Sequence, residues 1–211
     1  ALSALLFLYG RVLEVKLPWM DGIDRAKRPV RVPVVLTVDE VRALLARLEG
    51  TKWMMASLLY GAGLRLRECL KLRVKDVDFG YRQITVRDGK GGKDRVTMLP
   101  AGLVEPLRGQ LARIKTLHER DLADGYGEVE LPNALERKYP NACRDWAWQY
   151  VFPSRKLSAD PRSGVIRRHH VYDDVLPRAI GQASREAGIA KPVGSLNKGG
   201  RGVASPLDRL V

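Results

Sequence analysis

An α+β fold, mainly helical and carrying one small antiparallel three-stranded sheet, is the architecture this chain predicts. Three observations point to it. Thr37-Val38-Asp39-Glu40 has the form of a capping box, with Val41, Leu44, Leu45 and Leu48 as the apolar stripe of the helix behind it. Three segments with helical character precede any strand. Residues 74–79, 83–87 and 95–99 then alternate in polarity and are rich in β-branched side chains, with Gly80-Tyr81 and residues 89–93 as the turns between them. A chain of 211 residues with 45% hydrophobic content is long enough to bury one sizeable core.

Residues 1–17 show helical spacing, with Leu5, Leu8, Val12 and Val15 on one side and Pro18 ending the run. The stretch is short for a membrane span and lacks the basic leader of a signal peptide, so it reads as a core helix. Opening without a cap, it is expected to be the last helix of an N-terminal domain, over residues 1–20. Residues 21–35, with Asp21-Gly22, Pro29, Pro33 and several basic side chains, read as a linker. The main domain is expected over residues 36–193. Within it Gly50 is expected to close the helix that Thr37 opens, residues 53–60 form a buried helix, and Gly61-Ala62-Gly63 turns the chain into a helix over 64–72. Beyond the sheet come a long basic helix over 103–122, an aromatic and basic segment over 131–153 ending in a short strand, and a helix over 172–188 with Pro177 in its first turns. The glycine-rich residues 194–211 read as a tail.

Lys and Arg number 37 against 24 Asp and Glu, a formal charge of +13 spread along the whole length. A polyanionic partner is expected, nucleic acid above all. Cys69 and Cys143 give neither a disulfide framework nor a C-x-x-C metal spacing, which favours a reducing, cytoplasmic location. No G-x-x-x-x-G-K-[ST] loop occurs, and the adjacent His169 and His170 make a poor tetrahedral zinc site, so neither metal nor cofactor is expected.

Two motifs carry chemistry. In Gly63-Leu64-Arg65-Leu66-Arg67-Glu68 an arginine follows the apolar Ser57-Leu58-Leu59-Tyr60, which offers a rigid, permanently charged fork suited to a phosphate. Its simpler reading is a salt bridge from Arg65 to Glu68. The second motif, Gly89-Lys90-Gly91-Gly92-Lys93-Asp94-Arg95, is a basic hairpin tip whose glycines otherwise serve only the turn. Together, in this order and separated by an antiparallel hairpin, they resemble the arginine box and catalytic-lysine hairpin of the tyrosine recombinases. The aromatic insertion over 131–153 and the run from Asp160-Pro161-Arg162 to Arg167-Arg168-His169-His170 resemble integron integrases in particular.

The resemblance implies site-specific DNA recombination, the integration and excision of gene cassettes in a mobile element, through a 3′-phosphotyrosyl intermediate. Neither metal nor ATP takes part. It implies Arg65 on the nonbridging oxygens of the scissile phosphate, Lys90 as the acid that protonates the leaving 5′ oxygen, and Glu68 as the residue that orients the arginine helix. It further implies backbone-phosphate or other DNA contacts from Lys93, Arg95, Arg167 and Arg168. Recognition of bases bulged from folded single-stranded sites falls to Trp148, Pro161, His169 and His170. Duplex sites and a tetrameric synapse belong to the same picture. The family's His-x-x-Arg box and nucleophilic tyrosine have no counterpart between Val193 and the tail, and no tyrosine follows Tyr172. The chain as written is therefore expected not to cleave DNA, with a noncatalytic DNA-binding remnant as the alternative and a basic ribosomal or RNA-structural protein as a third reading.

Overall fold

The computed structural model describes residues 2–15, 35–87, 93–132, 135–191 and 193. It falls into two units, residues 1–32 and 33–211. In the first, α1 (Leu2–Phe7) runs into a π-helical stretch over Leu8–Val12. Leu5, Leu8 and Val12 of the expected stripe are helical and Val15 lies beyond the helix, but all four are exposed, so within this unit they form no core. The linker falls largely, and the glycine-rich tail wholly, outside the described residues. Among the described residues no helix is long and apolar enough to cross a membrane.

The second unit is α+β and mainly helical. The capping box forms as its residues dictate: the Thr37 amide donates to Glu40 Oε2 at 2.7 Å, and the Glu40 amide donates to Thr37 Oγ1 at 3.2 Å. It opens α2 (Val38–Leu45), which ends before the expected stop. Gly50, at φ +53°, is instead the first residue of α3 (Gly50–Gly61), where its left-handed backbone redirects the chain. Helix α3 is apolar nearly all round, burying Met54, Met55, Leu58 and Leu59, and it sits at the centre against α2, α4 (Leu66–Leu70), α5 (Val104–Ala123) and α7 (Val175–Glu186). Leu44, Leu70, Ile84, Leu99, Leu107, Phe152, Leu176 and Ile180 complete that core.

The sheet orders β1 (Val77–Asp78), β2 (Gln83–Val86) and β3 (Arg95–Met98) as an antiparallel meander, with Val77 opposite Ile84 and Val86 opposite Arg95. Residues 74–76, expected as strand, form a 3-10 turn. The cause is Asp76, which turns inward to accept the Arg73 amide at 3.2 Å and Arg87 Nε at 2.7 Å. Beyond α5 the chain makes α6 (Leu135–Lys138), then 3-10 turns over Ala142–Arg144 and Trp146–Trp148. No strand closes this segment; Tyr150 and Pro153 instead make single bridges to Arg73 and His170. The buried Gln149 amide holds the insertion together, donating to Gly127 O at 3.2 Å and Asp145 O at 3.3 Å. A second small sheet pairs β4 (Ser158–Ala159) with β5 (Ile166–Arg167).

Arg167 and Arg168, expected on DNA, are 4% and 9% exposed. Arg168 forks onto Asp121 of α5 through Nε at 2.5 Å and Nη2 at 2.7 Å, and Nη1 reaches Ser154 O at 2.9 Å. Arg167 pairs with Glu136, with Asp160 at 3.9 Å. Both guanidiniums are buried against carboxylates and brace the second sheet against its surroundings. Removing one partner of such a pair strands the other charge: Arg168→Met should cost about 3–5 kcal/mol in chemical denaturation. Adding Asp121→Leu to it should recover much of the loss, whereas an Arg168→Met chain as stable as its parent would mean that the pair holds nothing.

The sheet is fastened to the helices by Glu68, whose side chain is only 8% exposed. Arg95 Nη1 and Nη2 donate to its two oxygens at 2.9 and 2.7 Å, and Arg65 adds its amide at 2.8 Å and Nη1 at 2.7 Å. Burial opposes the charge, but the hydrogen bonds from Arg95 and from Arg65 outweigh it and hold the carboxyl at about 2, against an ordinary value of 4.5. A carboxyl lowered on folding stabilises the protein above its unfolded pKa and stops doing so as pH falls through its folded one. The stability supplied by Glu68 should thus be full above about pH 5 and be lost as pH falls through about 2. Denaturation midpoints across this window should fall less steeply in Glu68→Gln than in the parent, and parallel curves would remove Glu68 as the acid-sensitive group.

Candidate functional site

The approach to Arg65 is built by a sharp turn. Helix α3 stops at Gly61, Gly63 takes φ +63°, and Leu64 is fully buried, so the chain leaves the core at Arg65 with extended φ −74° and ψ 156° before α4 begins. Cys69 and Leu70 anchor α4 in the core. Arg65 is therefore held at its backbone by a buried helix, while its guanidinium, joined to Glu68 through Nη1, is 49% exposed. The simple salt-bridge reading of Arg65 describes the observed contact: the Glu68 carboxylate holds one edge of a fork that still meets solvent.

Residues 88–92, and with them Lys90, lie outside the described residues. The described chain on either side of them is fixed. On the β2 side Arg87 binds the buried Asp76 at 2.7 Å. On the β3 side Arg95 grips Glu68 and donates to Gly63 O at 3.2 Å, while Thr97 Oγ1 donates to Ala62 O at 2.8 Å. The hairpin foot and the Arg65 turn thus share a set of hydrogen bonds. Arg95, expected to contact phosphate, is committed to this joint. Lys93 is exposed beside it.

The second group of expected residues is partly gathered. The half-buried Trp148 ring carries the Lys75 ammonium 2.9 Å from its centroid, with the Arg73 guanidinium 5.5 Å away. Arg73 also lies 4.4 Å over the Tyr150 ring, and Tyr150 meets His170 edge-on at 5.5 Å. Trp148 and His170 therefore belong to one run of rings and cations. Pro161 is exposed in the turn between β4 and β5, where Gly164 donates to Asp160 O at 2.7 Å. His169 accepts at its backbone carbonyl from Ser154 at 2.7 Å, and its buried Nε2 has no hydrogen-bond partner among the described residues. His170 donates from Nδ1 to Val171 O at 2.7 Å.

Arg73, Lys75 and Tyr150 were not among the residues expected at the site. Arg73 Nη1 donates to Trp148 O and Nη2 to Glu130 O, each at 2.7 Å, and Nη2 also to Tyr150 Oη at 3.2 Å, so one side chain moors the insertion to the turn before β1. The only sequence signal was the i,i+2 placement of Arg73 and Lys75 in an extended-looking run, which sets two cations on one side. A small pocket between α5 and the insertion is lined by Ile114, His118, Asp121, Gln149 and Tyr150. His118 Nε2 donates to Arg144 O at 3.0 Å, and burial pushes its pKa below the ordinary value.

A family model described as the phage integrase family matches residues 34–195. An integrase/recombinase of Escherichia coli is 53% identical over 192 residues, covering 91% of this chain and 57% of that protein. Tyrosine recombinase XerA of Thermococcus onnurineus is 46% identical over 88 residues, 40% of this chain and 31% of that one. Among solved structures, XerA recombinase superposes with a TM-score of 0.50 at 24% identity over 90% of this chain and 54% of that one. XerH recombinase bound to its difH substrate gives 0.52 at 17% over 92% and 49%. These two likenesses are of fold. The chain spans 57% of the length of the Escherichia coli relative. With three quarters of its residues inside one family model and a relative at 53% identity across nearly its whole length, the chain belongs to the phage integrase family, the tyrosine recombinases.

Proposed function

We propose that this chain is part of a site-specific DNA recombinase of the integron-integrase kind, with residues 36–193 forming a partial catalytic domain after the last helix of a DNA-clamping one. The observation that carries the reading is the shared joint at Glu68, which ties the Arg65 turn to the foot of the Lys90 hairpin through Arg95. Arg65 would take the nonbridging oxygens of the scissile phosphate and stabilise the charge that builds there. Lys90, which in sequence lies between β2 and β3, would protonate the leaving 5′ oxygen. Lys93 would hold the flanking backbone, with Trp148, Pro161, His169 and His170 serving an unpaired base. A formal charge of +13 suits a DNA partner, and the fold neighbour XerH was solved on its own DNA substrate. Both duplex and folded single-stranded sites, and a tetrameric assembly on them in the cytoplasm, complete the reading.

The nucleophile is not assigned to any tyrosine of this chain. Tyr172 is exposed next to Asp173, which pairs with Arg67 at 2.9 Å. A nicked or bridging-phosphorothioate suicide substrate incubated with the chain should give no covalent protein–DNA band on denaturing electrophoresis. A band that disappears in Tyr172→Phe would make Tyr172 the nucleophile. In a chain extended to the length of its curated relatives, Arg65→Ala should abolish recombination and leave site binding nearly intact. Equal loss of binding and cutting would assign Arg65 to holding α4 alone.

A further inference from the structure

Lys75 is placed where an ammonium has little reason to stay. Among the described residues its Nζ makes no hydrogen bond or ion pair; its contact is the Trp148 ring, 2.9 Å from the centroid. The neighbouring carboxylate, Asp76, is buried and already accepts from Arg87 Nε and the Arg73 amide. Arg73 spends its own donors on the insertion, at Trp148 O, Glu130 O and Tyr150 Oη. Three cations, Arg73, Lys75 and Arg87, thus surround one committed carboxylate. Burial, with the charges of Arg87 and Arg73, lowers the Lys75 pKa, while Asp76 raises it. The ring below is half-buried and rigidly hung from Arg73, so the face that Lys75 covers is prearranged, and covered by a mobile four-carbon arm.

A cation on an aromatic face and a nucleobase on the same face compete for the same surface. A nucleobase on a strand also brings what the ammonium lacks, an adjacent phosphate. We infer that Lys75 is the resident occupant of the Trp148 face, that one unpaired nucleobase displaces it, and that the released ammonium transfers to the phosphate beside that base. Lys75 acts through Trp148 and is a positioning and specificity residue. Paired duplex offers no free base, so the ammonium stays on the ring and contributes no phosphate contact. The exchange therefore adds one ion contact only when an extrahelical base is present, which turns the cationic cluster into a reader of strand structure. The inference rests on the reading of Trp148 as a base-stacking side chain.

Counterion release makes the exchange measurable, because each added phosphate contact steepens the dependence of log affinity on log salt by about 0.7 to 0.9. The full chain is titrated across a salt series with two DNA hairpins of the same sequence, one perfectly paired and one with a single extrahelical guanosine. The parent should bind the bulged hairpin more tightly and with a slope steeper by about that amount. Lys75→Met should keep the preference, since stacking remains, and lose the extra slope. Lys75→Arg should restore the slope, and Trp148→Ala should abolish both preference and slope difference. Melting temperatures of the four proteins, compared before titration, identify any variant that has lost its fold, and Lys75→Gln then replaces Lys75→Met. A slope difference that survives in Lys75→Met or Lys75→Gln, or a parent that prefers the bulge with equal slopes, overturns the exchange while leaving Trp148 as a stacking residue. A parent that does not distinguish the two hairpins overturns the stacking reading, and the exchange with it.

Discussion

The carboxylate of Glu68 links parts of the chain that are distant in sequence and different in kind. A buried anion must be matched or it raises the free energy of the fold, and here two arginines from different elements match it, Arg65 at the start of α4 and Arg95 at the start of β3. The bidentate hold of Arg95 fixes the sheet to the core helices. The same carboxylate orients the arginine that would meet a phosphate. Stability and the geometry of the candidate site therefore share a single ionised group, and the hydrogen bonds from Arg95 and Arg65 are what hold its pKa so far down against burial.

What local sequence encodes, the structure reproduces. The box at Thr37 and Glu40, the all-round apolar α3, the alternation of β2 and β3 and the stripe of Leu176, Ala179, Ile180 and Ala183 on α7 are each determined within one or two turns of chain. Helix α7 ends as its glycine suggests: Gly188 takes φ +66° and donates to Arg185 O at 3.0 Å. Gly50 was legible as punctuation but not in direction, because a left-handed glycine can end one helix or begin the next.

The candidate site was readable to a different depth at each residue. Arg65 and Glu68 lie three apart, and their pairing follows from helix spacing. Arg168 and Asp121 are 47 positions apart, and a basic run that ends in two histidines carries no mark of the acid that will bury it. The same holds for Arg73, whose acceptors are carbonyls 57 and 75 residues further on. Such partners are set by tertiary packing, and one sequence shows charge without showing what answers it.

Arg73 concentrates much of the side-chain hold on the insertion at a single position. Apart from that guanidinium and the Lys75 contact with the Trp148 ring, the insertion meets the turn before β1 and the residues leading into it through main-chain bonds, Val74 to Gln149 O at 3.0 Å and Val151 to Leu72 O at 2.9 Å, and these are indifferent to side-chain identity. Replacing an outward-facing side chain of the insertion therefore leaves those main-chain bonds in place, whereas replacing Arg73 removes three hydrogen bonds at once.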